Sequence, residues 1–146
     1  MSIKFVALPD KRIRQISDEV ISFDKPLRNL IADLIKVSLA QKNPPALGMA
    51  APQIGVFKRV FVAKIRGKFK PFINPRIIKR SKEEGPYLEG CFSVTGIYGN
   101  VTRPIEITIE AQDQFGKKIT RSSKGLEAKI LQHETDHLDG KLFIDH

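Results

Sequence analysis

Between residues 25 and 41 the apolar residues Leu27, Leu30, Ile31, Leu34, Ile35 and Leu39 recur at three-to-four spacing, the stripe of an amphipathic helix. Asp24 stands where a capping side chain is needed, Pro26 falls in the first turn, and Asn43-Pro44-Pro45 ends the segment. A second stripe, Leu126, Ile130, His133 and His137 at i, i+4, i+7 and i+11, predicts a helix from Lys124 or Gly125 to Leu138, closed by Gly140. On this pattern both histidines face inward with Leu126 and Ile130.

Between the helices the texture changes to β-branched runs broken by turn residues: 59–65, Phe72–Ile73 with Arg76–Lys79, 97–101, 105–111 and 117–121. Strict alternation in Ile105-Glu106-Ile107-Thr108-Ile109-Glu110 predicts a strand with one apolar face. Asp113-Gln114-Phe115-Gly116 predicts a hairpin loop after it. The expected architecture is α+β: a helix, mostly antiparallel strands, and a C-terminal helix against which the sheets pack. With 146 residues, no repeats and no linker-like stretch, residues 1–146 are expected to form one domain.

Composition narrows the class. The chain is 41% hydrophobic, enough for a packed core, and its apolar runs are too short to span a bilayer, so no membrane association is expected. A single cysteine, Cys91, excludes an intramolecular disulfide. With no apolar leader after the first residues, a cytoplasmic location, or an organelle interior after processing, is expected. The net charge of +9 favours anionic surroundings. The basic residues are nevertheless scattered, with no RNA-binding aromatic motif, so no specific nucleic-acid site is expected.

The densest chemistry is His133-Glu134-Thr135-Asp136-His137, an H-E-x-x-H pattern in the second helix. Positions i and i+4 stand one turn apart on one face, so two imidazoles can hold one metal while the intervening glutamate reaches its water. The other reading is two buried, hydrogen-bonded histidines and a surface ion pair for Glu134. A catalytic metal site requires a third protein ligand. The extended protease pattern fails at Phe143, where a histidine would be needed, and no glutamate follows His137. Cys91, after Glu89-Gly90, is the obvious donor, with His146 or a nearby aspartate as alternatives. In the Gly/Ala-rich stretch 46–55, small residues permit close backbone approach, and Gln53 offers an amide donor to a developing oxyanion; tight packing explains the same small residues.

Taken together, Ala46-Leu47-Gly48-Met49-Ala50-Ala51-Pro52-Gln53, Glu89-Gly90-Cys91-Phe92-Ser93 and Gln132-His133-Glu134-Thr135-Asp136-His137, in that order, closely resemble the three motifs of the peptide deformylase family. The likeness extends to Ile73-Asn74-Pro75, Arg103-Pro104 and Asp139-Gly140-Lys141-Leu142-Phe143. The resemblance implies the deformylase fold and removal of the N-formyl group from the formylmethionine of nascent proteins. It implies that Cys91, His133 and His137 bind one divalent metal, Fe²⁺ in the cell and Zn²⁺, Ni²⁺ or Co²⁺ in preparations. Glu134 would move the proton of the attacking water, while the Gln53 side chain and the Phe92 backbone N–H would hold the oxyanion.

By the same resemblance the methionine side chain would meet Leu47, Tyr87, Leu126, Lys129 and Ile130. Peptide backbone would pair with Leu47–Gly48 and Gly90, and Asp136 would support the ligands, paired with Arg103. The implied partners are formylmethionyl nascent chains, with ribosome association through the basic surface and a monomeric enzyme. Ala46, Phe92, Thr95 and Lys129 depart from the family pattern, Lys129 standing at a usually apolar pocket position. Two other functions stay in view: a degenerate scaffold acting as a ribosome- or RNA-associated module, and an H-E-x-x-H metallopeptidase.

Overall fold

A computed structural model describes residues 5–146, with the backbone but not the side chains of residues 95–97, so the Thr95 departure lies outside what is described. Helix α1 spans Lys25–Ala40, and the Asp24 carboxylate accepts from Leu27 N at 3.3 Å, as the capping pattern predicts. The strands are β1 (Gly48–Ala50), β2 (Val60–Ile65), β3 (Lys68–Arg80), β4 (Glu84–Cys91), β5 (Val94–Pro104), β6 (Glu106–Gln112) and β7 (Lys118–Lys124). Helix α2 spans Leu126–Leu138. Strand order in the larger sheet is β1-β2-β3-β6-β7, and β4 with β5 forms a separate two-stranded sheet; every pairing is antiparallel.

Interior strand β2 is buried on both faces over residues 60–63, which explains the apolar run there. Phe61, Ala63 and Ile65 pack with Ala128, Leu131 and Leu138 of α2. Val60 and Val62 pack with Leu27, Ile31 and Leu34 of α1 on the other face. The β6–β7 hairpin forms as predicted, with Asp113 Oδ1 accepting from Phe115 N at 2.9 Å and Lys117 N at 3.0 Å.

Three sequence expectations need correction. The runs on either side of Asn74-Pro75 belong to one strand, because register shifts along β3 let the ladder with β6 pass the proline. Strand β4 was not foreseen: Gly85, Pro86 and Gly90 mask its alternation, and Pro86 is tolerated because β4 has one partner only. Leu126, expected to face inward, is 56% exposed. It is the first residue of α2, and the sheet contacts are made by the turns that follow, at Ala128, Ile130 and Leu131.

Gly140 ends α2 with φ +72°, and a Cβ there would lie 2.1 Å from the Arg14 carbonyl oxygen. Gly140→Ala is expected to cost about 2–4 kcal/mol in urea unfolding, combining left-handed strain with a backbone clash. Gly67→Ala, at φ +82° with nothing within 4 Å, isolates the strain at about 1 kcal/mol. Equal losses for the two variants would contradict the clash.

Candidate active site

Helix α2 lies between the larger sheet and the β4–β5 pair, so nine of its thirteen residues are buried, including Gln132, His133, Glu134, Thr135 and His137. Buried polar groups require partners. Gln132 Nε2 donates to the Pro104 and Ala128 carbonyls, and Thr135 Oγ1 donates to the Leu131 carbonyl. Among the described residues only three buried side-chain polar atoms lack a partner: Ser17 Oγ, Glu134 Oε1 and His137 Nδ1. Two of the three belong to the H-E-x-x-H segment.

The turn from β4 into β5 brings Cys91 over this helix. One ligand atom from each of Cys91, His133 and His137 lies within 4.8 Å of the others, a group able to hold a metal ion. Cys91 Sγ is 3.2 Å from His137 Nε2. Of the alternative third donors, His146 instead bonds Asp136 Oδ2 through Nε2 at 2.8 Å.

His133 Nδ1 donates to Glu89 Oε1 at 2.7 Å, which leaves Nε2 to the cluster. Glu89 is fully buried and is gripped by Arg103, whose Nε and Nη2 donate to its two oxygens at 2.5 and 2.9 Å. Arg103 Nη1 also donates to Asp136 at 3.0 Å, the pairing expected from sequence. A continuous chain thus runs from His146 through Asp136, Arg103 and Glu89 to His133. Sequence reasoning gives Glu89 no role of its own, since the Cys91 thiol is the stronger metal donor of the Glu89-Gly90-Cys91 motif. The available signal was an acid between β-strand residues beside the lone cysteine.

Burial disfavours the Glu89 carboxylate, but hydrogen bonds from His133 and Arg103 outweigh it and hold the group at about 2. Burial likewise pushes His133 down, and the Cys91 sulfur and Glu89 carboxylate more than reverse this, raising it to about 10. His137 is lowered, by burial first and then by the neighbouring positive charges of His133 and Arg103. Glu134 is raised to about 7, chiefly by burial, although the charge of His133 opposes the rise. Its carboxylate lies against Gly48, where a Cβ would come within 2.8 Å of Oε2. Glycine at this position is what admits the glutamate.

Gln53 is fixed by Ala50 N–H donating to its Oε1 at 2.9 Å, so its amide nitrogen points to Cys91 Sγ (3.5 Å) and Ser93 Oγ (3.4 Å). A cavity of about 600 Å³ opens over this cluster, walled by Leu47, Gly48, Gln53, Gly90, Cys91, Phe92, Lys129, Ile130, His133 and Glu134. Tyr87, half-buried on β4, and Leu126 are not among its lining residues. Leu88 and Tyr98 are, both exposed at the rim, as is Phe5, stacked on Phe92 with ring centroids 5.5 Å apart. Long-range packing across the β4–β5 pair put them there, and no local pattern announces it.

A Cys–His–His donor group, a buried glutamate with one oxygen unpartnered among the described residues and an open cavity on an antiparallel α+β fold fit the class of metal-dependent hydrolases. The polypeptide deformylase family model matches residues 3–146, and the chain belongs to that family. It is 41% identical over 152 residues to a peptide deformylase of Rhizobium meliloti, covering 100% of this chain and 86% of the relative. A peptide deformylase of Treponema pallidum is 37% identical over 145 residues, covering 99% and 86%. Among solved structures, the Legionella pneumophila peptide deformylase superposes with a TM-score of 0.91 at 40% identity, over 99% of this chain and 85% of that one. The Thermotoga maritima enzyme gives 0.93 at 29% identity, over 100% and 97%. No helix among the described residues is long and apolar enough to cross a membrane.

Proposed function

We propose that this chain, as one catalytic domain over residues 1–146, hydrolyses the formyl group from the N-terminal formylmethionine of newly made proteins. Formate and a peptide with a free amino terminus are the products. The observation that carries the reading is the buried Glu134 carboxylate, one oxygen without a partner, in the wall of the cavity that holds the three-donor group. A base so placed can take a proton from water and return it to a leaving amine.

The donor set fits a divalent cation: one sulfur and two imidazoles, with one imidazole oriented by a carboxylate. Cys91, His133 and His137 are the proposed ligands, with Fe²⁺ as the cellular ion and Zn²⁺, Ni²⁺ or Co²⁺ suited to the same donors. Such an ion supplies Lewis acidity, which makes water a nucleophile at neutral pH and polarises a carbonyl. Glu134 removes the proton of the attacking water and delivers it to the departing peptide nitrogen. The Gln53 amide and the Phe92 backbone N–H stabilise charge on the formyl oxygen. Strand β1 lies at the edge of its sheet, and an extended peptide is proposed to add there along Leu47–Gly48 and across to Gly90. Leu47, Lys129 and Ile130, which line the cavity, are the proposed surroundings of the methionine side chain, whereas Tyr87 and Leu126 stand outside its lining.

The expected test result is formate release from formyl-Met-Ala-Ser under anaerobic conditions, with about one metal per chain. Cys91→Ser is expected to lower metal content and activity together, since a hydroxyl is a far poorer ligand than a thiolate. Absence of turnover in a sample fully loaded with Fe²⁺ would overturn the reading. The proposed setting is the cytoplasm, with the enzyme acting as a monomer. The charge of +9 supports loose association with ribosomal RNA, and co-sedimentation with ribosomes that does not weaken with added salt would contradict that part.

A further inference from the structure

Charge is shared unevenly along the chain. Between Asp33 and Glu83 stand twelve lysines and arginines and no aspartate or glutamate, so this stretch carries more than the whole net charge of +9. Its densest part is the turn joining β2 to β3, where Lys64, Arg66, Lys68 and Lys70 fall within seven residues. All four are exposed, and among the described residues none forms an ion pair. Glu127 of α2 feels the charge of Arg66, but its carboxylate is taken by Arg121 and Ser123.

The tip is a stiff ribbon. Arg66 at φ +50° and Gly67 at φ +82° make the two-residue turn that matches the twist of a hairpin. Ile65, 2% exposed, anchors it in the core against α2. Register sets Lys68 opposite Ile65 and Lys70 opposite Ala63, on the α2 side of the sheet and about 6.8 Å apart. Lys64 stands opposite Phe69 on the α1 side, its ammonium 5.9 Å from the ring centroid. Positive charge therefore leaves both faces of the ribbon and its end. A flat anionic surface meets such a ribbon on one face only, whereas the phosphates of a folded RNA stand on both sides of a groove.

The ribbon also borders the cavity. Its pairing with β1 ends at Gly48↔Ala63, and the β3 pairing with β6 ends at Ile73↔Gln112, so the tip projects past both neighbouring strands. At its root Lys64 N–H donates to the Leu47 carbonyl at 2.9 Å, and Leu47 and Gly48 line the cavity. Whatever holds the tip holds the cavity mouth beside it.

We propose that the β2–β3 tip is a docking surface for the phosphate backbone of structured RNA, which keeps the cavity close to the RNA-rich particle that makes its substrates. The proposal rests on the reading given above for the class of nucleic acid, and it gives the loose RNA association a place on the fold. Lysine and arginine at the tip contact phosphates, so binding follows backbone and not base sequence.

The test measures binding of the intact chain to a fluorescent RNA duplex. Four phosphate contacts predict a slope of log affinity against log salt of about −3 to −4, a loss of about 100-fold between about 50 and 200 mM salt. The variant Lys64→Gln/Arg66→Asn/Lys68→Gln/Lys70→Gln, with asparagine where φ is positive, is expected to bind about tenfold less tightly or worse at low salt and to lose most of the slope. Removing the same charge elsewhere, in Lys11→Gln/Lys25→Gln/Arg28→Gln/Lys36→Gln, is expected to change little. Both variants are expected to keep the parent kcat/KM on formyl-Met-Ala-Ser, which shows that they fold. Equal losses in the two variants would assign the binding to bulk charge and overturn the proposal. A salt-independent affinity, or tighter binding to phosphatidylserine vesicles or to the DNA duplex of the same sequence, would overturn it too. Tip-dependent RNA binding without any formate release would leave this surface standing and remove the deformylase reading alone.

Discussion

Glu134→Gln is expected to lower kcat/KM for a formylmethionyl peptide by about 10²–10⁴-fold while leaving metal content unchanged. Glutamine matches the size and hydrogen-bonding reach of glutamate but cannot carry a proton from water to the leaving nitrogen. The site is built around this side chain: Gly48 leaves the room that the carboxylate occupies, and among the described residues Oε1 has no protein partner to compete with water. Metal analysis beside formate release checks the result. Activity within tenfold of the parent chain would remove Glu134 from the proton-transfer role, and loss of metal would show a structural effect instead.

Arg103→Met is expected to destabilise the chain by about 3–5 kcal/mol, because it leaves the fully buried Glu89 charged and without the two hydrogen bonds that Arg103 donates. Metal affinity, read by competition with a chelator, is expected to fall about 10–100-fold, since His133 then loses a firmly held orienting carboxylate. The double variant Glu89→Leu/Arg103→Met separates the two effects. Replacing the whole ion pair by apolar groups of similar size should recover most of the stability in urea unfolding, while metal affinity stays low. Recovery of both quantities would mean that Glu89 does not orient His133.

Much of this site is legible in the chain itself. The i, i+4 spacing of His133 and His137 on an amphipathic stripe puts both imidazoles on one face, a consequence of helical geometry that needs no tertiary information. Motif order was also informative, since the Gln53, Cys91 and His133–His137 segments come together around one cavity. Local pattern was weaker where conformation depends on partners. Strand β4 carries two glycines and a proline, and its extended form is stabilised by the ladder to β5. Leu126 continues the apolar stripe in sequence but falls where the sheet gives no cover.

Residue types and their periodicity decided the two helices, the β6–β7 hairpin and the donors on offer, because these follow from spacing and from side-chain chemistry within short segments. Only the packed chain could decide which donors meet. Cys91 lies 42 residues before His133 in sequence, and the turn between β4 and β5 sets it over α2 in preference to His146, which pairs with Asp136. The same packing encloses Glu89 and Arg103, two residues of types that are mostly exposed. Removed from water they must satisfy each other, and in doing so they fix the ring of His133.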